Sequence, residues 1–367
     1  MHAENKIREA LEGLRAADDT YERVMERAAA GGRRRRGGPL HVATVAGLAV
    51  AGALATGGVA YAVAGGDVFG AWGDHGMGER VAWSHDGYTF SREYGTVDPG
   101  QVSEDLAGSV EAVGLSVEGS GYTLTIGSMI VDENGCGVAS FTLENPDGVR
   151  DDPSYGVPGE LVLADDASLD AFAMDASGEG TSALLDNRWI CDQGRSTDTV
   201  AQGTLYFASS GRLENVLEGV SWHLSWDTGT WLEDEGRWSD DHEQFEESTE
   251  TFRPTKVVEA RTYASDDGST VRVSPFSISV EASWSGPSDA GLDAVALRLA
   301  DGSEYVILGE DGTMNYYTAS KSGAEVKYTF TRLVDVSEVV AVELSGRTGT
   351  ELEGDLQDHA VELVPAD

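Results

Sequence analysis

Cysteine is nearly absent from this chain of 367 residues, which holds only Cys136 and Cys191. No CxxC and no Cys/His spacing of a zinc site occurs, so a structural zinc is not expected. GxSxG, a P-loop, HExxH and GxGxxG are missing too, which removes sequence support for hydrolase, nucleotide-binding and metalloprotease chemistry. Seven histidines are scattered, with no nucleophile or metal partner close in sequence. The expectation is a protein that is not an enzyme and carries no cofactor and no metal.

Positive charge is also scarce, with 25 Lys and Arg against 64 Asp and Glu. It is unevenly spread. Residues 1–39 carry nine basic and seven acidic groups, and residues 40–66 carry none of either sign. Residues 67–367 therefore hold 16 basic against 57 acidic groups, a net of −41. Such a surface repels a phosphate backbone, which argues against direct nucleic-acid binding, and it attracts cations or basic polymers. The densest carboxylate stretch, LEDEGRWSDDHEQFEE at 232–247, lacks EF-hand spacing and reads as a solvated loop. Trp231 and Trp238 beside it are candidates for stacking on a sugar or peptide.

The uncharged run from Leu40 to Gly66 is 27 residues long. About 20 apolar residues cross a bilayer core, whereas a secretory h-region has about 7–15 and follows a short leader. Arg33, Arg34, Arg35 and Arg36 precede the run, and Asp67, Asp74 and Glu79 follow it. The positive-inside rule then places the N-terminus in the cytoplasm and the C-terminus outside, with the arginines against anionic lipid. The run is rich in Ala and Gly, and Ala60-Tyr61-Ala62 and Ala62-Val63-Ala64 match a cleavage pattern. Its length favours a retained anchor over a cleaved signal. Ala43, Gly47, Ala51 and Ala55 form a small-residue stripe that so much Ala and Gly makes nearly unavoidable.

Before the arginines, Ile7, Leu11, Leu14, Tyr21, Val24 and Met25 fall at helical spacing, interrupted at Asp18. This predicts one broken helix or two short ones. Helices this short are marginal alone, so the apolar stripe needs a partner: a protein, the membrane surface or a copy of itself.

Beyond Asp67 the pattern becomes short strands and Gly/Asp/Ser turns. In YTLTIGSMIVDENGCGVASFTLENPDG, Tyr122, Leu124 and Ile126 alternate on one face and Gly127 admits a bulge. Asn134-Gly135 is a hairpin signal, and Ala139, Phe141 and Leu143 line the return strand. Val102, Leu106, Val110 and Val113 predict a short helix before the sheet. In VSWHLSW, Val220, Trp222, Leu224 and Trp226 share a face that reads as core. A second set of strands follows Arg253-Pro254. In an oxidising compartment Cys136 and Cys191 could close one bridge, worth about 4 kcal/mol in the chain-entropy model; two separate thiols is the other reading.

The expected fold is mainly β: two tandem immunoglobulin-like β-sandwiches outside the membrane, preceded by one transmembrane helix and a short cytoplasmic helical segment. The expected divisions are a cytoplasmic segment over 1–39, a span over 40–66 and a juxtamembrane linker with short strands over 67–99. Sandwiches follow over 100–253 and 254–367.

An N-terminus of IREAL type, one span and the hairpin quoted above together resemble the bacterial domain-of-unknown-function family 4179, membrane proteins of Gram-positive bacteria. The resemblance is best over 1–145 and looser over 255–345, where a further immunoglobulin-like module follows. It implies an anti-sigma-factor-like layout, in which a cytoplasmic segment holds a sigma factor and an external region senses an unknown ligand or condition. Zinc-binding anti-sigma domains carry a His and a CxxC, and residues 1–39 contain no Cys. Contact with a sigma factor would have to use the face built from Ile7, Leu11, Leu14, Tyr21, Val24 and Met25. The alternative is a structural or adhesive surface protein with no signalling role.

Overall fold

The computed structural model describes residues 79–85, 88–94, 99–149, 161, 163, 167–173, 183–192, 195–227, 231–232, 237–238, 245–284, 291–349 and 357–366. All of them fall within one compact unit. The predicted cytoplasmic face (Ile7 to Met25), Arg33 to Arg36, the 40–66 span and most of the 232–247 carboxylate stretch lie outside the described residues. Among the described residues no helix is long and apolar enough to cross a membrane.

The structure is mainly β. A hairpin of β1 (Glu79–His85) and β2 (Tyr88–Tyr94) comes first, followed by the helix α1 (Pro99–Leu106). A first module then contains β3 (Glu111–Gly119), β4 (Tyr122–Val131), β5 (Cys136–Glu144), β6 (Ala167–Ala173), β7 (Ala183–Cys191) and β8 (Val200–Ser209). It continues with α2 (Leu213–Glu218), β9 (Val220–Asp227), the two-residue strands β10 (Trp231–Leu232) and β11 (Arg237–Trp238), and β12 (Phe245–Phe252). The second module holds β13 (Arg261–Ala264), β14 (Thr270–Val273), β15 (Ser277–Glu281), β16 (Leu292–Leu299) and β17 (Glu304–Leu308). It ends with β18 (Tyr316–Ser322), β19 (Glu325–Phe330), β20 (Val339–Thr348) and β21 (Gln357–Pro365).

The two modules share a strand order within their layers, apart from an extra edge strand, β17, in the second, and differ in where the layers join. In the first, β3-β4-β5-β8-β7 form one layer and β6-β9-β12 the other, joined where β6 and β7 pair over only two residues. In the second, β13-β14-β15-β19-β18 form one layer and β17-β16-β20-β21 the other, joined where β13 meets β21 over two residues. A ladder that short lets a sheet fold sharply over itself into a sandwich or near-barrel. In the first module β12 returns alongside β3. The Trp226 ring lies where a Cβ on Gly119 would come within 2.1 Å of it, so that glycine keeps the seam narrow.

Side-chain chemistry explains these elements. Tyr122, Leu124 and Ile126 are buried on one face of β4, and the register shifts between Ile126 and Met129, at the expected Gly127 bulge. The shift returns Met129 and Val131 to the first core and turns Ile130 to the opposite face. Gly135, at φ +73, closes the hairpin to β5. Val220, Trp222 and Leu224 are each 0% exposed inside that core. A second core fills the other sandwich around Tyr263, Phe330 and Leu363.

The two cysteines do not form a bridge. Cys136 on β5 pairs with Ala208 and Cys191 on β7 pairs with Gly203, on opposite sides of β8 and at different heights. Strand spacing separates them by roughly 19 Å, and a disulfide requires about 4.4–6.8 Å between Cα atoms. Cys136 faces outward to the second module, whereas Cys191 belongs to the first core.

Candidate functional site

A third apolar cluster lies between the modules. Ile130, Val138 and Tyr206 form a cross-strand row on the outer face of the first module's larger layer. They meet Phe276, Tyr317 and Leu333 of the second module, with Val102 and Leu106 of α1 alongside. Tyr206 and Tyr317 stack across the boundary with centroids 3.8 Å apart and planes at 17°. Faces that a lone sandwich would leave to water are therefore packed. Offset aromatic pairs contribute about 0.5–1.5 kcal/mol beyond the area they bury.

The polar centre of this interface is the β4–β5 turn. Asp132 is 0% exposed. One oxygen accepts from the backbone N–H of Asn134 and of Cys136, both at 3.0 Å. The other accepts from the hydroxyls of Ser274 and Ser277 in the second module, both at 2.5 Å. The Asn134 amide donates to Ser277 Oγ at 2.9 Å and to the Arg272 carbonyl at 3.3 Å. Lys327, 2% exposed, donates from Nζ to the Gly211 carbonyl of the first module at 2.8 Å. Glu325 lies between Arg272 (3.3 Å) and Lys327 (3.7 Å) at the rim.

Burial pushes the Asp132 carboxyl up to about 6, against the lowering effect of its four hydrogen bonds. Burial also pushes the Cys136 thiol up, helped by the negative charge of Asp132. Ser274 and Ser277 are themselves fully buried and donate to the carboxylate, so neither hydroxyl is presented to a substrate. The arrangement suits holding two bodies together.

The connection between the modules is hydrogen-bonded along its length. Glu111 accepts from Thr255 N, Thr255 Oγ1 and Lys256 N, and Lys256 Nζ donates to the Gly108 carbonyl. Val258 bridges to Asp132 in parallel register, and Glu133 accepts from Ala260 N.

A second tie comes from the N-terminal side. Ser91 of β2 exchanges backbone hydrogen bonds with Gly312 and Met314 of the second module. Arg92, 2% exposed, donates from Nε to the Met314 carbonyl at 3.0 Å, with its guanidinium 5.3 Å from the Tyr317 ring centroid. The β1–β2 hairpin precedes the first module in sequence but docks on the second. Gly312, at φ +84, makes room for it: a Cβ there would lie 2.5 Å from the Thr89 carbonyl oxygen. Gly312→Ala is expected to undock the hairpin and speed proteolysis within residues 79–98 by at least about tenfold. The strained backbone alone costs an alanine about 1–2 kcal/mol. Gly302→Ala carries the same positive φ with nothing within 4 Å and serves as the control that leaves the cleavage rate unchanged.

Of the sequence-derived candidates, Cys136 belongs to this interface and Cys191 does not, Trp231 and Trp238 pair with each other on the short strands β10 and β11, and the remainder lie outside the described residues. Sequence reasoning missed Asp132, Asn134, Ser274, Ser277, Lys327 and Arg92. A signal was present for the apolar part: Ile130, Val138 and Tyr206 are apolar on the strand faces opposite the first core, the mark of strands covered on both sides.

No family model matches the chain, and no curated protein matches it. Among solved structures it is similar to a conserved domain protein from Bacillus anthracis, at 14% identity over 70% of this chain and 91% of that one. The TM-score is 0.35, which carries no argument about fold or function.

Proposed function

We propose that the chain is a single-pass membrane signalling protein of anti-sigma-factor-like layout, anchored by residues 40–66. In this reading its external β body senses a ligand or condition, and the cytoplasmic segment around Ile7, Leu11, Leu14, Tyr21, Val24 and Met25 contacts a sigma factor. The supporting observation is the double attachment of the external body: the modules are packed through a buried interface, and the hairpin that follows the span is tied to the far module by Arg92. A perturbation of either module then reaches the strand nearest the anchor, as a sensor needs. The repeated strand order, a meander joined by a hairpin and packed on a second layer, supports an immunoglobulin-like plan for both modules.

The test is affinity capture with the tagged full-length chain from membranes of its host, beside a chain lacking residues 1–39. Recovery of a sigma factor by the first and not the second is expected. No recovery, with no transcriptional effect of deleting the segment, sinks the reading. Binding of the external region to glycan, cell-wall polymer or host protein would then favour an adhesive surface protein.

A further inference from the structure

We propose that Asp132 is a proton-binding site through which external pH sets how tightly the two modules are held together. Only the signalling consequence rests on the membrane reading above; the switch itself is a property of the interface.

The argument begins with what surrounds the carboxylate. Its four donors are two backbone N–H groups of its own turn and two hydroxyls of the other module, so dipoles alone compensate its charge. Among the described residues no cation pairs with it. Lys327 on β19 directs Nζ to the Gly211 carbonyl and lies 3.7 Å from Glu325. Arg272 on β14 is taken by Glu325 and the Glu133 carbonyl. Glu133 accepts from Ala260 N, and Ser279 on β15 donates to Glu325. Cys136 on β5 is the remaining titratable neighbour, and its thiol also disfavours ionising here.

Both protonation states can be hydrogen-bonded. The ionised form accepts four bonds. The protonated form keeps the two backbone donors on one oxygen and donates from the other to a serine hydroxyl, which can turn to accept. What differs is the buried charge, and separating the modules relieves it by admitting water. A carboxyl at about 6 when closed and near 3.8 when solvated binds its proton more tightly in the closed form. Its contribution to closure is fully present below about pH 4 and is lost as pH rises through about 6. The direction is the reverse of a salt-bridged carboxylate, and the opening constant rises about tenfold between pH 5 and 7.5. Acid holds the modules together, and neutrality loosens them.

Two thiols already in the chain read this out. Cys136 is sealed by the second module, against Ser277 and Lys327, whereas Cys191 lies in the first core. The full chain in detergent micelles is treated with a thiol reagent at pH 5 and 7.5, and labelling of each cysteine is followed by peptide mass spectrometry. Asp132→Asn, an uncharged mimic of the protonated acid, is treated in parallel. Dividing the wild-type Cys136 rate by that of the variant at the same pH cancels the ordinary pH dependence of thiol reactivity. The quotient is expected to rise about tenfold from pH 5 to 7.5 while Cys191 stays protected. A quotient flat with pH overturns the proposal, as does labelling of both cysteines in step, which would mean global unfolding. Should Asp132→Asn not fold, the wild-type ratio of Cys136 to Cys191 labelling over the same pH range decides the matter. A flat result sinks the switch and leaves the membrane reading standing; a rising one in a chain that captures no sigma factor does the opposite.

Discussion

Asp132→Ala is expected to part the two modules without unfolding either. The substitution leaves the N–H groups of Asn134 and Cys136 without their acceptor in a site closed to water. Each buried donor so abandoned costs about 1–3 kcal/mol. Ser274 and Ser277 lose less, since their hydroxyls already lie 3.2 Å apart and can bond to each other. Release of the buried charge offsets part of the loss, leaving a net cost of about 2–4 kcal/mol at neutral pH. That corresponds to about 30-fold or more in the opening constant. Labelling of Cys136 should accelerate accordingly, while Cys191 remains protected and the far-ultraviolet circular dichroism is unchanged. Asp132→Asn should not loosen the modules at neutral pH, because it retains an acceptor for the two N–H groups and, like the protonated acid, buries no charge. Equal effects from Ala and Asn would show that the carboxylate's hydrogen bonds are not what holds the interface.

The complementary substitution, Trp222→Ala, should strike the first core and not the boundary. Trp222 is 0% exposed, packed among Val220 and Leu224 in the cluster that also holds Cys191. Truncating a buried tryptophan costs about 3–5 kcal/mol, a large share of the roughly 5–15 kcal/mol that holds an ordinary domain folded. The expected outcome is a lower denaturant midpoint and exposure of Cys191. Among the described residues its indole N–H has no hydrogen-bond partner, so the loss is packing alone. Trp222→Phe, which keeps most of the volume and removes that N–H, should cost about 1.5 kcal/mol or less. A Trp222→Ala chain with an unmoved midpoint would contradict the assignment of this residue to the core.

These two substitutions mark the border of what the sequence made legible. Val220, Trp222 and Leu224 announced a buried face because alternation with period two leaves few other readings. Gly127 and Asn134-Gly135 announced a bulge and a hairpin because their backbone chemistry is local. Asp132 announced nothing. Asp132-Glu133-Asn134-Gly135 read only as a hairpin turn, and the serines that close over Asp132 lie about 140 positions later. The disulfide, one of two readings of the cysteines, did not form for a related reason. Its plausibility came from the number of cysteines, whereas strand order placed β5 and β7 on opposite sides of β8. The strand order that the modules' layers share was equally hidden, since pairing between distant strands leaves no local mark on the chain. The packed outer faces did leave one, in the apolar residues Ile130, Val138 and Tyr206, but a one-sided reading of each strand passes over it.

The claim beneath the whole account is that the two sandwiches form one body closed around Asp132. The most direct measurement is the labelling rate of Cys136 in the native full-length chain at pH 7, compared with the same cysteine in urea and with Cys191 in the same sample. A closed interface predicts that Cys136 reacts at least about 100-fold more slowly than in the denatured chain, as a group reached only through local opening does. Cys136 reacting at the denatured rate while Cys191 stays protected would show two separate folded modules and contradict the account.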